Sequence, residues 1–373
     1  MKITSVKAIP IKTGSLLVRV NTDEGIEGVG ECSNRNWRSL KPFIEDDCGS
    51  IVVGMDPRDT QRLWDMMFPP SKWLGPGGFQ LTGMAAIDMA CWDIAGKSRD
   101  QPLYQMLGGA ARTRIPLYWS TGLGWKGWRQ GGGDPGSPEE LVEAMREGLE
   151  AGFTAFKLRL EWMHHRQDRD PAGDIERFRA CRRLVGDGCR LSVNANNGYT
   201  VSTAIEQGKR FEDLGATHLE EPLPQYDYLG LKQVVDALDV PVSSGELENT
   251  LWDFRDLILT GDPDIVQPDL ALTGGVTGMS KVFMLCEAFN KPVLPHAPGA
   301  GIQNTVTLHL YATQVNATLP HEYTWAFAGS LGSATGIFEE PLIPKDGYIQ
   351  LSDRPGHGLV LNEDAVNAVA IDE

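Results

Sequence analysis

The rhythm of hydrophobic and polar positions changes about a third of the way along the chain. The opening stretch "MKITSVKAIPIK" alternates like a strand. "SLLVRV" and "IEGVGEC" flank "NTDEG", whose Asn, Asp and Gly suit the turn of a hairpin. Residues 79–97, "FQLTGMAAIDMACWDIAGK", are too many for a strand, rich in helix formers and closed by Gly-Lys. They are apolar round much of the helical circumference, which predicts a buried helix with Asp88 and Asp93 as its only unexpected members.

From about residue 114 short apolar runs alternate with helical stretches. "RIPLYWSTG", "FTAFKLRL", "RLSVNAN", "THLEEP", "VPVSSGE", "PDIVQPD", "KPVLPHA" and "ATLPHEY" are eight strand candidates, each ending in polar or charged residues. Leu231, Val234, Val235 and Leu238 stand at i, i+3, i+4 and i+7, the stripe of an amphipathic helix. The polar residues that end the strands are evenly spaced. Asn194 to Glu220 is 26 residues, Glu220 to Glu246 is 26, Glu246 to Asp269 is 23, Asp269 to His296 is 27 and His296 to Glu322 is 26. One strand, one helix and two short loops take roughly 25 to 30 residues, so these positions recur at the carboxyl end of successive βα units. Eight parallel strands joined in this way close into a barrel, and all those ends share one mouth.

Length and charge narrow the reading. At 373 residues the chain is too long for one small core, and a barrel with an attached smaller domain is expected. A net charge of −16 argues against nucleic acid and anionic membrane surfaces as partners. The start has no continuous apolar core of a signal peptide and no run approaches membrane-spanning length, so a soluble, cytoplasmic protein is expected. The six cysteines form no CxxC pair and read as reduced structural thiols.

Glu220 and Glu246 on neighbouring strand ends, with amide oxygen and water, make an oxygen-only site suited to Mg²⁺. An ion pair with a barrel lysine is the alternative for each. Asp269 beside His296 would fix the imidazole tautomer and raise its basicity, as a general base requires. Lys157 and Arg159 alternate along "FKLRL" and share one face, near the mouth and near an anion. Arg159 either pairs with an acid of the ring or binds substrate, and the two are compatible.

In this light the chain resembles the enolase superfamily, and within it the mandelate racemase subgroup that includes acid-sugar dehydratases. The likeness spans "AAIDMACWDIAGK" and "PLYQMLGG" in the first part and "KLR", "NAN", "LEEP", "SGE", "QPDLALTGGVTG", "LPHAPGAGI" and "HEYTW" in order through the rest. It implies a (β/α)7β TIM-like barrel with an α+β capping domain. Residues 1–112 would form the cap, completed by 325–373, and residues 113–324 the barrel. It implies Asn194, Glu220 and Glu246 as Mg²⁺ ligands and Lys157 as a contact to the substrate carboxylate. It further implies Asp269 and His296 as an acid–base dyad, Glu322 near the carboxylate or enolate end of the substrate, and a homo-oligomer.

The chain departs from the subgroup at two positions. Most relatives carry Asp where Asn194 stands, so the ligand set is −2 rather than −3, which weakens binding of free metal. Racemases place a second lysine where Arg159 stands, and a guanidinium is a poor proton acceptor. One base suffices for dehydration: His296 removes the proton next to the carboxylate, Mg²⁺ stabilises the enediolate, and the imidazolium protonates the departing 3-hydroxyl. The expected activity is therefore an Mg²⁺-dependent dehydratase of a sugar acid, an aldonate or aldarate, giving a 2-keto-3-deoxy acid. The alternatives are a sugar-acid lactone cycloisomerase or epimerase and, of another class, a non-catalytic sugar-acid binding homologue. Specificity is expected in "SNRNW" and "SKWLGPGG" of the cap and in "EWMHHRQDRD". His164, His165 and Arg166 there either reach a distal substrate group or belong to a solvated loop. Trp119, Trp125 and Trp128 either line the mouth or pack under the cap.

Overall fold

The computed structural model describes residues 1–12, 14–33, 36–71, 73, 75, 77–122, 135–160, 168–324 and 336–371. The alternating amino-terminal segments form an antiparallel sheet of β1 (Ile3–Pro10), β2 (Ser15–Thr22) and β3 (Glu27–Ser33), ordered β1-β2-β3. Val6, Leu16, Val18 and Val20 of this sheet share a core with Met84, Ile87 and Ile94 of the long helix α1 (Phe79–Lys97). That helix is buried on nearly every side, as its all-round apolar character requires.

The barrel strands are β4 (Arg114–Thr121), β5 (Ala155–Arg159), β6 (Arg190–Asn194), β7 (Leu219–Glu220), β8 (Val242–Ser244), β9 (Ile265–Val266) and β10 (His321–Tyr323). All neighbours pair in parallel from β4 to β9, and the last strand, β10, pairs in parallel with the first, β4. The seventh strand candidate, "KPVLPHA", forms no strand among the described residues and meets the sheet through isolated bridges, Val266 to Val293 and Asp269 to His296. The helices between the strands are α2 (Pro138–Glu150), α3 (Pro171–Val185), α4 (Val201–Asp213), α5 (Tyr228–Ala237), α6 (Leu251–Asp256), α7 (Val276–Ala288) and α8 (Ile302–Thr313). Helix α2 starts on a Ser137/Glu140 capping box with Pro138 in its first turn, which satisfies two orphan N–H groups and presets φ. The stripe of α5 is placed as the periodicity requires, with Leu231 and Val234 buried.

After the barrel the chain returns to its beginning. Strand β11 (Tyr348–Gln350) pairs antiparallel with β4. Helix α9 (Glu363–Val369) leads to a bridge between Ala370 and Ile11, and its Glu363 takes both hydrogen bonds from Arg19 Nη2, at 2.8 and 2.9 Å. None of the described helices is long and apolar enough to cross a membrane. The six cysteines are all free thiols.

The two unexpected acids of α1 tie the cap down, Asp88 to the barrel and Asp93 to the returning carboxyl-terminal segment. Helix α7 begins after Gly275, which has no capping side chain. Asp88 supplies one from the cap, accepting the Thr277 N–H at 3.0 Å and the Thr277 hydroxyl at 2.6 Å. A Cβ on Gly275 would stand 2.6 Å from Asp88 Oδ2, so the carboxylate fits only because residue 275 is glycine. Asp93 accepts from Val29 N–H at 3.1 Å and His357 N–H at 3.2 Å, and pairs with Lys97 at 2.7 Å. Glu31 of β3, which the sequence does not mark out, accepts the Gln303 N–H at the start of α8.

Candidate active site

Parallel strands that share a register bring their carboxyl ends to one place. Arg159 lies level with Asn194 and Asn194 with Glu220, while Lys157 lies level with Ser192 one step deeper. Lys157 is fully buried, with its ammonium 2.5 Å from Glu220 and 3.1 Å from Glu322. Arg159 donates to Glu322 at 2.9 Å and to the Ser120 hydroxyl at 3.2 Å. Burial alone would lower Lys157, but Glu220 and Glu322 outweigh it and hold the ammonium above its ordinary value. Burial would likewise raise Glu220, yet Lys157 brings it down to about 2, and Lys157 and Arg159 hold Glu322 well below the carboxylate range. These four side chains form one interlocked ion network, so the alternative of an ion pair with a barrel lysine is realised for Glu220. Arg159 is joined to an acid of the ring.

Glu246 stands differently. Its Oε1 is 3.6 Å from His296 Nε2, and its buried Oε2 has no hydrogen-bond partner among the described residues. Burial and the nearby Glu220 raise its pKa, with His296 pulling the other way. Glu221 is also buried, accepts from Asn197 at 3.1 Å, and is pushed well above its usual range by burial and by Glu246 and Glu220. Burial and their mutual repulsion thus disfavour the ionised forms of Glu246 and Glu221 in the ligand-free site.

Asn194 places its amide nitrogen 2.6 Å from Glu220 Oε1, and its oxygen accepts the Asn196 N–H at 2.6 Å. Gln267 donates to the other Glu220 oxygen at 2.8 Å. Among the described residues no three His, Cys, Asp or Glu side chains converge as a ready-made metal cage. The donor set is nonetheless all oxygen: Glu220, the open oxygen of Glu246 and the amide oxygen of Asn194. That set, which includes an orphaned buried carboxylate oxygen, fits a hard divalent cation such as Mg²⁺. To present its oxygen there, Asn194 must turn its amide over and give up both hydrogen bonds.

His296 Nδ1 lies 2.7 Å from Asp269 Oδ2, while Asp269 Oδ1 accepts the Ala271 and Leu272 N–H groups at 2.8 and 3.2 Å. Donation from Nδ1 to the carboxylate leaves Nε2 facing Glu246. Burial would lower the imidazole, but Glu246 and Asp269 raise it to about 9. Glu322 Oε2 accepts the Ala297 N–H at 3.1 Å, which ties the His296 segment to β10.

The structure thus brings Lys157, Arg159, Asn194, Glu220, Glu246, Asp269, His296 and Glu322 to one end of the barrel. Trp119 is not at the mouth: its indole donates to Ala144 O of α2 at 3.1 Å and packs edge-on against Phe153, between strand and outer helix. Side chains alternate across a strand, and Trp119 follows the opposite phase from Ser120, which reaches Arg159. Trp125, Trp128, His164, His165 and Arg166 lie outside the described residues. In the cap segment "SKWLGPGG", Gly78 N–H donates to Asn249 at 2.9 Å, which seats that segment against the loop after β8 that carries Glu246. Sequence reasoning missed Gln267, which holds Glu220, Asn196, which holds Asn194, and Ser120, which holds Arg159. The first two lie inside motifs quoted above, and inward phase along a strand was the available signal.

Comparison with known proteins identifies the family and the fold. Residues 140–365 match the enolase C-terminal domain-like family, and residues 4–108 match the mandelate racemase / muconate lactonizing enzyme N-terminal domain. An arabinonate dehydratase of Saccharolobus solfataricus is 29% identical over 92% of this chain and 87% of its own. A D-galactarolactone cycloisomerase of Agrobacterium fabrum is 28% identical over 94% and 90%. A solved mandelate racemase/muconate lactonizing protein of Paracoccus denitrificans, complexed with magnesium, superposes with a TM-score of 0.92 at 34% identity, covering 99% of this chain and 97% of that one.

Proposed function

The chain belongs to the mandelate racemase / muconate lactonizing enzyme family of the enolase superfamily, with a capping domain on a TIM barrel, and from that premise we propose that it is a hydro-lyase acting on a sugar acid. The observation that carries this reading is the asymmetry of the site. One flank holds His296 on Asp269 at 2.7 Å; the other holds Arg159, a permanent cation bound to Glu322 at 2.9 Å. Among the described residues these flanks hold one proton acceptor, where two-base racemisation needs two.

The chain's own residues divide the work as follows. Asp269 fixes the His296 tautomer, and Nε2 takes the proton from the carbon next to the substrate carboxylate. The imidazolium then returns that proton to the 3-hydroxyl, which leaves as water, and the enol product ketonises to a 2-keto-3-deoxy acid. The Nε2 proton is favoured below about pH 9 in the ligand-free site because of Glu246. Glu220, Glu246 and the Asn194 oxygen would hold Mg²⁺, which when bound supplies positive charge beside the substrate carboxylate. Lys157 and Arg159 hold Glu322 ionised, and a substrate carboxylate meeting Lys157 would compete with Glu220 and Glu322 for it. The cap segment on Asn249 stands where loops can select the rest of the sugar.

Cycloisomerisation of a sugar-acid lactone uses the same proton removal and is the second reading, supported by the relative from Agrobacterium fabrum. Proton NMR of aldonates, aldarates and their lactones incubated with the protein and Mg²⁺ in D₂O separates the two. Loss of an α-proton with appearance of a 2-keto-3-deoxy acid supports the dehydratase; ring opening or inversion without loss of water overturns it. His296→Asn should lower turnover by about 10³-fold or more. Near-normal turnover in that variant would remove His296 as the base.

A further inference from the structure

Gln303 stands in the first turn of α8, the helix that follows the His296 segment. Its side-chain nitrogen is 3.2 Å from Asp269 Oδ1 and 3.4 Å from Oδ2, a third neutral donor on a carboxylate already held by two backbone N–H groups. Its backbone N–H donates at 3.0 Å to Oε2 of Glu31, and Ser15 of β2 donates to the other oxygen of Glu31. A Cβ on Gly301 would stand 2.3 Å from Glu31 Oε2, so the helix start accepts this carboxylate only because residue 301 has no side chain. One continuous path therefore runs from the cap sheet through Glu31 and Gln303 to Asp269 and His296.

We propose that Gln303 is a positioning residue for the Asp269–His296 pair, and that Glu31 sets Gln303 in place from the cap domain. The proposal rests on the reading of His296 as the base. Two backbone donors converge on Asp269 Oδ1 and leave the carboxylate plane free to rock about the Cβ–Cγ bond. Gln303 reaches both oxygens and removes that freedom, which aims Oδ2 at His296 Nδ1 and Nε2 into the mouth. Being neutral, Gln303 acts through orientation and adds no charge. Glu31 completes the path because it caps α8 at the turn that carries Gln303, so a cap that is not docked leaves the pair misaimed.

The pair reports on itself without substrate. In the full chain labelled with ¹⁵N-histidine, the Nδ1–H of His296 should give a downfield proton resonance protected from exchange with water, identified by its absence in His296→Asn. Gln303→Met, close in volume and without a donor, should lose that resonance to exchange while keeping the wild-type melting temperature. Gln303→Glu, which sets a second carboxylate on Asp269, should lose it as well. Glu31→Gln should broaden it, whereas Asp88→Asn, at the other helix cap between the domains, should leave it unchanged. An unaltered resonance in folded Gln303→Met overturns the proposal, and an equal effect of Asp88→Asn overturns the specific path through Glu31. The function reading fails separately: it is decided by turnover of His296→Asn in the sugar-acid assay, which this spectrum does not touch.

Discussion

Glu31 and Asp88 are buried where the cap meets the barrel, and Glu220, Glu246 and Glu322 are buried or nearly so in the barrel mouth. The domain seam supplies Asp88 and Glu31 with a backbone N–H at the first turn of a helix and with a hydroxyl, so their oxygens are occupied by fixed neutral donors. In the mouth Glu220 and Glu322 share Lys157 and Arg159, Glu246 faces His296, and one oxygen of Glu246 is left over among the described residues. Acids satisfied by the backbone hold two domains together. Acids that compete for cations keep unspent charge, and that is what a site for a cation and an anionic substrate needs.

The comparison predicts opposite outcomes for removing one charge from each region. Glu246→Gln should lower turnover by at least about 10³-fold, a loss above about 4 kcal/mol of transition-state stabilisation, and should leave the ligand-free protein as stable as wild type or more so, because burial disfavours the charge it removes. Sugar-acid NMR together with thermal unfolding reads both. A clear loss of stability would show that Glu246 belongs with the structural acids.

Lys157→Met removes the cation that two buried glutamates share. Breaking a buried pair leaves an uncompensated charge and should cost about 3 kcal/mol or more, seen as a lower midpoint in chemical denaturation at pH 7. Lowering the pH should restore part of it, since Glu220 and Glu322, no longer held down by Lys157, would then take up protons.

At the seam, Asp88→Ala should cost about 1 to 2 kcal/mol, the worth of a helix cap, with turnover of the folded protein unchanged. Its pH dependence has a definite sign. Burial raises the Asp88 carboxyl to about 7, although the Thr277 hydroxyl and N–H pull it down. The native state therefore binds more protons than the unfolded state between about pH 4 and 7, and stability should fall as pH rises through that window, by at most about 1.4 kcal/mol per unit. Asp88→Asn should remove this component of the slope, as a denaturation series in pH would show.

The contrast also explains what the sequence made legible. The strand-end polar residues recur every 23 to 27 residues because the βα unit has a nearly fixed length, so their shared location could be read from spacing. Asp88 and Asp93 were visible as anomalies on an apolar helix, but their partners, Thr277 and His357, lie 189 and 264 residues away, and no local pattern points to them. Trp119 had the right position and the wrong phase. The state of each mouth acid was also out of reach: that Glu220 is paired while Glu246 has an open oxygen depends on the distance to one ammonium, and that distance is a property of packing.

The smallest effect concerns Asn194, whose amide now bridges Glu220 and the Asn196 N–H at 2.6 Å each. Asn194→Asp would replace the N–H donor by a second carboxylate against Glu220. In the absence of metal that like-charge contact should destabilise the protein; with Mg²⁺ the third negative charge should tighten binding by about tenfold, or about 1.4 kcal/mol. The variant should therefore melt below wild type in chelator, and its melting temperature should rise further on addition of Mg²⁺. Titration calorimetry gives the affinity directly. Unchanged affinity with a lowered melting temperature would place Asn194 with the seam acids, as a side chain that organises its neighbours, and would leave Glu220 and Glu246 alone to hold the ion.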